Sequence, residues 1–210
     1  MSTEQNDETY SNTIYTVFIH GSPSFLANAW GQALRQAAIR GLLGIVDLIV
    51  GLVGLADADG TGAMIAAAKH NKVEAVLRLQ QRGVPLEARD GAVVIAAAAS
   101  GSLSVLAQIA EFITCGLAVR NGTALIVAAR NGNVAIVRFL VQQGLKASMR
   151  DGEALIEAAS NGHIPVMEYL WPRVRSKRFR EAAMSAAVHQ AQEQMVSWLE
   201  SKSKHVPRPM

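Results

Sequence analysis

The 210-residue chain has one cysteine and few aromatic residues, and each shortage excludes a class of protein. Because Cys115 is alone, a disulfide-stabilised secreted domain is excluded and a reducing compartment is indicated. Aromatic residues make up 5% of the chain and hydrophobic residues 50%, so alanine, valine, isoleucine and leucine must form the core. The net charge of +3 is too small to indicate a nucleic-acid-binding protein by itself.

Neither a secretory signal nor a membrane span is indicated. Residues 1–12 are polar and acidic, without the basic and apolar regions of a signal peptide, and we expect a disordered tail there. Residues 201–210 are predicted to form a second disordered tail, which is basic. The apolar run at residues 41–56 is shorter than the about 20 residues that a spanning helix needs, and it contains Asp47. We therefore expect no membrane span and a cytoplasmic protein.

What the sequence does contain is one motif repeated five times. Each copy has an apolar run rich in small residues, a glycine or asparagine, and a second apolar run, as in ALIVAARNGNVAIVRFL at residues 124–140. The central residues are separated by 30, 30, 31 and 30 positions, and they are Gly41, Asn71, Gly101, Gly132 and Gly162. A constant period of this length predicts a solenoid of stacked helix pairs, because one pair cannot bury both of its apolar faces alone.

The copies predict a single all-α domain over residues 13–200. A degenerate sixth copy has its turn at His189–Gln190, and its polar residues suit a capping copy. Trp171 and Trp198 are expected to cover the C-terminal edge of the core. Ser22 and Pro23 read as an N-cap and a first helical position. The predicted segments are an N-terminal cap at 13–30 and repeats near 31–58, 62–90, 92–120, 122–150, 152–176 and 180–200.

The copies resemble ankyrin repeats over about residues 31–200. The residues that follow the family's order are Gly122, Thr123, Leu125, Ala128, Ala129, Gly132, Val134, Val137, Leu140 and Gly144. The family's threonine-proline-leucine-histidine signature is missing, since Ala124 replaces its proline and Ile126 its histidine. The period of 30 or 31 is also shorter than the family's period of about 33. The missing residues fall where the family has a hairpin, so we expect short loops and weak or absent strands.

The resemblance implies a protein-binding module that acts without catalysis. A stack of helix pairs offers an extended concave surface, and no acid, base and nucleophile converge in the sequence. We expect a monomer with a protein partner, without a cofactor and without a metal site. Degenerate arrays of this kind are frequent in pathogens, so the resemblance also implies an effector that acts on a host protein in the host cytoplasm or nucleus.

An arginine precedes the aspartate or asparagine that opens three of the copies. At spacings of 31 and 30, Arg89, Arg120 and Arg150 would stack along one edge of a solenoid. Such a stripe could bind an acidic protein, because arginine forms bidentate pairs with carboxylates. Alternatively, each aspartate or asparagine caps its helix and the arginine pairs with a neighbouring cap. The predicted partner-binding residues are Arg89, Asp90, Arg120, Asn121, Arg150, Asp151, Glu153, Arg130 and Glu157.

Nucleic-acid binding is the alternative function. Its predicted residues lie in the run RVRSKRFR, and they are Arg173, Arg175, Lys177, Arg178 and Arg180. A solvated linker between copies would have the same composition. The pairs Asn131–Gly132 and Asn161–Gly162 also resemble the pairs with which transcription-activator-like repeats read bases. However, the glycine-glycine-lysine that follows in that family is absent here.

The remaining polar motifs favour structural roles. The five histidines show no pair at the spacing of metal ligands. The run DADGTG at residues 57–62 lacks the later glutamate of a calcium-binding loop and is typical of a turn. A cryptic enzyme would need a pocket that joins His20 and Ser22 to a carboxylate.

Overall fold

The computed structural model describes residues 23–57, 59–110, 112 and 119–203. Within these residues the backbone forms twelve α-helices and one short 3-10 helix, and no strand. The helices are α1 (Pro23–Arg40), α2 (Leu43–Asp57), α3 (Gly60–Lys69), α4 (Val73–Gln81), α5 (Ala88–Ser100), α6 (Leu103–Ala110), α7 (Val119–Arg130), α8 (Val134–Gln142), α9 (Met149–Ser160), α10 (Ile164–Leu170), α11 (Lys177–His189) and α12 (Glu193–Ser203). The predicted all-α fold with short loops is confirmed, and the 3-10 helix (Trp171–Arg173) follows α10.

First and second helices of each pair differ in how they bury their residues. The first helix α7 buries residues on more than one side, among them Ala124, Ala128 and Ala129. Alanine has a high helix propensity and lets two neighbouring helices approach closely, so a first helix can be packed between the helices before and after it. The second helix α8 buries Ile136 and Leu140, spaced four residues apart and therefore on one face.

Backbone contacts divide the chain into two compact units, Met1–Arg89 and Asp90–Met210, where the sequence predicts one domain. In the first unit, α3 packs on α1 and α4 on α2, so that first helices contact first helices and second helices contact second helices. Asp47 on α2 forms ion pairs with Arg78 and Arg82 on α4. These pairs explain the acidic residue within the apolar run. No helix in the described part of the chain is long and apolar enough to cross a membrane.

The second unit repeats the same arrangement over more copies. The first helices α7, α9 and α11 pack on one another in chain order, and the second helices α6, α8 and α10 do the same. The largest fully buried side chains of this unit include Leu125, Leu140, Leu155 and Leu170, which alternate between first and second helices. The predicted stacking of helix pairs is therefore confirmed within this unit.

The turn inside each pair has a left-handed residue where the sequence predicts it. The φ angles are 75°, 55°, 79°, 73° and 72° at Gly41, Asn71, Gly101, Gly132 and Gly162. The prediction for the sixth turn is wrong. His189 is still the last residue of α11, and the left-handed residue is Ala191, with φ 51°. Ala191 lies 191 − 162 = 29 residues after Gly162.

The N-terminal pair also differs from its predicted boundaries. Helix α1 is described from Pro23 and continues without a break to Arg40, while Ser22, the predicted N-cap, lies outside the described residues. The predicted boundary between a cap and the first repeat, at residues 30 and 31, therefore falls inside one helix. Trp30 is buried at this point, with 4% of its surface exposed. Most of the predicted cap and both predicted tails lie largely outside the described residues.

Candidate partner-binding surface

Two of the predicted arginine-aspartate pairs lie in an unusual left-handed turn. Arg150, Asp151 and Gly152 have φ angles of 47°, 55° and 74°. Arg89 and Asp90 are left-handed as well, with φ angles of 52° and 56°. Arg89 is the last residue of the first unit, and Asp90 is the first residue of the second. In both turns the arginine and the aspartate are exposed to solvent and the glycine is buried. The chain therefore presents one cationic and one anionic side chain at the start of each of these first helices.

The glycine of this turn is required by the packing of the next copy. A Cβ atom at Gly152 would lie 3.0 Å from atoms of the Phe179 side chain on α11. Its φ angle of 74° also disfavours any residue other than glycine. Gly152 thus allows α9 and α11 to pack closely, while Arg150 and Asp151 stay on the surface.

The arginines of the two turns already have partners within the chain. Arg89 donates a hydrogen bond to Asp59 at 3.0 Å, and Asp59 is the N-cap residue of α3, the preceding first helix. Arg89 therefore pairs with a neighbouring cap, which is the structural alternative that the sequence left open. Arg150 forms an ion pair with Glu153 at 2.9 Å and contacts the Thr123 hydroxyl at 3.5 Å.

Asp59 also settles the role of the DADGTG motif. Its carboxylate accepts a hydrogen bond from the Gly62 backbone N–H at 3.1 Å and pairs with Arg35 at 3.1 Å. Together with Arg89, two guanidinium groups neutralise this carboxylate. The motif is a helix-capping turn, as predicted. No group of histidine, cysteine and acidic side chains in the described part of the chain could hold a metal ion.

Arg130 and Glu157 form a bidentate ion pair in the second unit. Arg130 Nε donates to Glu157 Oε2 at 2.9 Å, and Arg130 NH2 donates to Glu157 Oε1 at 3.0 Å. The hydrogen bond to Glu157, followed by the charge of Glu157, raises the pKa of Arg130, while desolvation lowers it. The pair joins α7 to α9, so these two predicted binding residues also hold successive first helices together.

The other predicted binding residues are less fully defined. Arg120 and Asn121 lie in the first turn of α7, but their side chains are outside the described residues. Asp151 and Asp90 are both exposed, and Asp90 also makes an interaction within the chain. The predicted stacking of three arginines along one edge therefore stays a prediction.

A second set of polar side chains, which sequence reasoning missed, joins the turns of successive pairs. The amide of Asn133 donates to the carbonyl oxygens of Ala98 and Ala99, both at 3.0 Å. His163 Nε2 donates to the Arg130 carbonyl oxygen at 2.8 Å. Each side chain follows the left-handed glycine of its own turn and reaches back to the end of the preceding first helix. The signal was available, because a polar residue follows the central residue in all copies except the first.

The asparagines that resemble base-reading residues also bond to helix ends, Asn131 on the preceding pair and Asn161 within its own pair. Asn131 donates its side-chain amide to the Ala99 carbonyl oxygen at 2.9 Å, and Asn161 donates to the Glu157 carbonyl oxygen at 2.8 Å. Both amides therefore satisfy helix ends rather than facing a ligand. His163, two residues after Asn161, has a structural role, as predicted for the histidines.

The basic residues of the nucleic-acid alternative divide into two groups. Arg173 donates to the Tyr169 carbonyl oxygen, and Arg180 donates to the carbonyl oxygens of Val174 at 2.8 Å and Trp171 at 2.9 Å. The remaining three, which are Arg175, Lys177 and Arg178, are exposed, and Lys177 Nζ lies 3.5 Å from Glu181 Oε1. Arg175 and Arg178 have no ion-pair partner among the described residues. Part of the basic run is thus built into the fold.

The aromatic residues near the C-terminal end stack with one another and with arginines. Trp171 and Trp198 meet edge to face with ring centroids 5.9 Å apart. The Tyr169 ring lies 3.7 Å from the guanidinium carbon of Arg173 and 5.3 Å from that of Arg138. The two tryptophans are half-buried, so they cover this end of the stack as predicted while keeping some surface accessible.

A family model described as ankyrin repeats, in three copies, matches residues 93–178. This range runs from inside α5 to the first turn of α11 and therefore lies within the second unit. No curated protein matches the sequence.

Proposed function

With residues 93–178 identified as ankyrin repeats, we propose that this chain is a protein-binding module without catalysis. Ankyrin repeats generally mediate interactions between proteins, and the chain has the stacked helix pairs on which such binding depends. The proposed contact surface comprises the exposed turns before the first helices, with Arg150, Asp151 and Glu153 at its centre. Asp90, Arg120 and Asn121 are the corresponding residues of other copies in the second unit, and Arg89 is the corresponding residue of the first unit.

The observation that carries this proposal is the conformation of the arginine-aspartate-glycine turn. Left-handed backbone costs a residue other than glycine about 1–2 kcal/mol. The turn at Arg150 places an arginine and an aspartate in succession in this conformation, which aspartate tolerates better than arginine, and both residues are exposed. Glycine or asparagine would form this turn at lower cost. Charged residues held there against their own preference favour a role in recognition.

The ion pairs of the turn indicate the chemistry of the partner. Arg150 and Glu153 have 42% and 32% of their side chains exposed, so their pair contributes little, about 0.2–1 kcal/mol. A carboxylate of a partner protein can therefore replace Glu153 at small cost. Arg130 and Glu157 are held by two hydrogen bonds and serve to fix the distance between α7 and α9. We therefore propose an acidic partner surface that contacts Arg150, while the Arg130–Glu157 pair holds α7 and α9 together.

The test is affinity capture with the full chain from lysate of a candidate host cell at two salt concentrations. We expect a defined protein to be retained, and we expect Arg150→Glu to reduce its retention more than about tenfold. Arg120→Glu should have a similar effect. Arg178→Glu is the matched control, because this residue is exposed and lies outside the proposed surface. Equal retention by Arg150→Glu and the control would contradict the proposed surface.

A second variant separates loss of charge from loss of structure. Arg150→Gly removes the cation but favours the left-handed backbone, so stability should change by less than about 1 kcal/mol. We expect the same loss of capture with unchanged thermal unfolding. If binding to a duplex or single-stranded oligonucleotide proves steeply salt-dependent and falls with Arg178→Glu, the nucleic-acid alternative is favoured instead.

The cellular role is proposed on narrower grounds. We propose an effector that acts on a host protein in the host cytoplasm or nucleus, and the support for it is the resemblance to degenerate arrays of this kind. Localisation of the tagged full chain in infected or transfected cells tests it. Retention of the chain within the source cell under infection conditions would contradict an effector role.

A further inference from the structure

A cleft of about 500 Å³ opens on the second unit beside α11, and its lining residues are separated in sequence from the turn at Arg150. Trp171, Met184 and Leu199 line it with apolar surface. Arg175, Lys177, Arg180 and Glu181 line the rest. Its volume lies in the range of about 300–1,000 Å³ that is usual for binding pockets. The cleft thus combines an apolar floor with a charged rim.

Local sequence explains why these side chains meet. Lys177, Arg180, Glu181 and Met184 have the spacing i, i+3, i+4 and i+7, which places them on one face of α11. The loop after α10 supplies Trp171 and Arg175 from one side, and α12 supplies Leu199 from the other. Three consecutive segments therefore form the walls of the cleft.

The tryptophan wall is held in place by the fold. Arg180 donates hydrogen bonds to the carbonyl oxygens of Trp171 and Val174, and its guanidinium lies 4.7 Å from the centroid of the Trp171 ring. Trp198 contacts the same ring edge to face. These contacts fix the indole before a ligand arrives, which reduces the entropic cost of binding. Met184, by contrast, is flexible and can adapt to an inserted side chain.

The rim is positively charged. Three cationic side chains face one carboxylate among the lining residues. The carbonyl oxygens that accept from Arg180 carry no net charge, so its cation is not neutralised. Lys177 and Glu181 are 90% and 66% exposed in their pair, which is therefore weak. Arg175 is exposed and has no ion-pair partner among the described residues.

We propose that this cleft binds an acidic peptide segment of a protein. A large apolar side chain of the peptide enters between Trp171, Met184 and Leu199, and flanking carboxylates face Arg175 and Lys177. A nucleic acid fits less well, because Arg180 already covers a face of Trp171 on which a base would stack. The inference rests on the proposed function only in that the chain binds proteins, since its residues do not overlap the turn at Arg150.

The experiment follows the indole N–H signals of the full chain by NMR during titration with a synthetic peptide, acetyl-EDELFEDE-amide. The chain has three tryptophans, and Trp171→Phe assigns the signal of interest. We expect a saturable shift of the Trp171 signal with a Kd of about 10–100 μM. The signal of Trp30, which is buried in the first unit, serves as the internal control and should not move. No saturable shift up to about 1 mM peptide would overturn the proposal.

Two probe peptides and three protein variants test the two parts of the cleft. Replacement of the leucine and phenylalanine of the peptide by serine should weaken its binding to the chain more than about tenfold. Equal binding of the two peptides would mean that the contact is purely electrostatic, and it would overturn the proposal. Arg175→Glu should weaken binding about fivefold or more, whereas Arg178→Glu, just outside the cleft, should change it less than twofold. Met184→Glu should abolish binding. If Met184→Glu fails to fold, the comparison of Arg175→Glu with Arg178→Glu decides whether the cleft binds the peptide.

The outcomes also separate this inference from the proposed function. Peptide binding without Arg150-dependent capture would leave the cleft supported and the proposed turn surface contradicted. Arg150-dependent capture without peptide binding would overturn the cleft alone. If an oligo(dT) of about 12 nucleotides binds more tightly than the peptide, and Arg175→Glu and Arg178→Glu weaken it equally, the basic run is a nucleic-acid surface and the proposal fails.

Discussion

The turn inside each helix pair and the turn between successive pairs both use left-handed backbone, but they place different residues there. Inside the pairs one residue is left-handed, and it is glycine in four of the six turns, with Asn71 and Ala191 in the others. Between pairs, the turn at residues 150–152 has three consecutive left-handed residues, of which two are charged and exposed.

The partners of the two turns differ in the same sense. The inner turns are covered by side chains of the next pair, since Asn133 and His163 bond to carbonyl oxygens at the end of the preceding first helix. The outer turn at Arg150 makes one exposed ion pair and one long hydrogen bond. Low backbone strain and hydrogen bonds to the neighbouring pair are typical of a turn whose role is structural. Strain with exposed charge is what a recognition surface would require.

The largest expected effect breaks an inner turn. Gly132→Ala should destabilise the second unit by about 2–3 kcal/mol. About 1 kcal/mol comes from the φ angle of 73°, and the rest from the histidine, because the new Cβ would lie 2.7 Å from His163 Nδ1 and displace it. Urea unfolding followed by circular dichroism measures this. Gly144→Ala is the matched control, with φ 97° and no atom within 4 Å of its Cβ, and should cost about 1 kcal/mol.

A double variant assigns the difference. In the background of His163→Ala, Gly132→Ala should cost no more than Gly144→Ala, because nothing remains to be displaced. An undiminished penalty in that background would show that His163 does not cover this turn.

The inner turns were predictable from sequence because their backbone requirement is visible in the residue types. A period of 30 or 31 located five left-handed positions, including Asn71, where glycine is absent. The sixth turn was misplaced because neither glycine nor asparagine marks it, and Ala191 has no sequence preference for a left-handed conformation. The left-handed conformation of Arg150 was equally invisible, since its residue type disfavours it.

The site was predictable only as a set of candidates. Sequence spacing picks out Arg130 and Glu157 but not their bidentate contact, which depends on how closely α7 and α9 pack. Composition likewise shows five basic residues in residues 173–180 but not that Arg173 and Arg180 turn towards carbonyl oxygens. The direction of a long side chain is decided by its neighbours in three dimensions, and these come from other copies.

A smaller effect is expected from the Arg130–Glu157 ion pair, which joins α7 to α9. Arg130→Met keeps the aliphatic stem and removes the bidentate contact with Glu157, and it should cost about 1 kcal/mol, since half of the Arg130 side chain is exposed. The cost should shrink in about 1 M salt. Arg138→Met, at a cation that stacks on Tyr169 without a carboxylate, is the control and should show little dependence on salt.

The pH dependence of this pair follows from the sign of the shift. The pKa of Arg130 is raised in the folded state, so its contribution is fully present below the ordinary pKa of arginine and is lost only as the pH rises through the higher folded value. The difference in unfolding free energy between the wild type and Arg130→Met should therefore be constant between about pH 6 and pH 9. A difference that declines across this interval would assign the stabilisation to another group.

The smallest effect repairs the one inner turn that lacks a suitable residue. Ala191→Gly should stabilise the second unit by about 0.5 kcal/mol, because the relief of about 1–2 kcal/mol of left-handed strain exceeds the entropy that glycine adds to the unfolded chain. Its matched control is Ala186→Gly, inside α11, which should destabilise by about 0.5–1 kcal/mol. Opposite signs for two substitutions of the same chemistry, read from urea unfolding midpoints, would show that backbone conformation decides the effect. Destabilisation by both would mean that Ala191 is not left-handed in solution, and the sixth pair would then end its first helix differently from the other five.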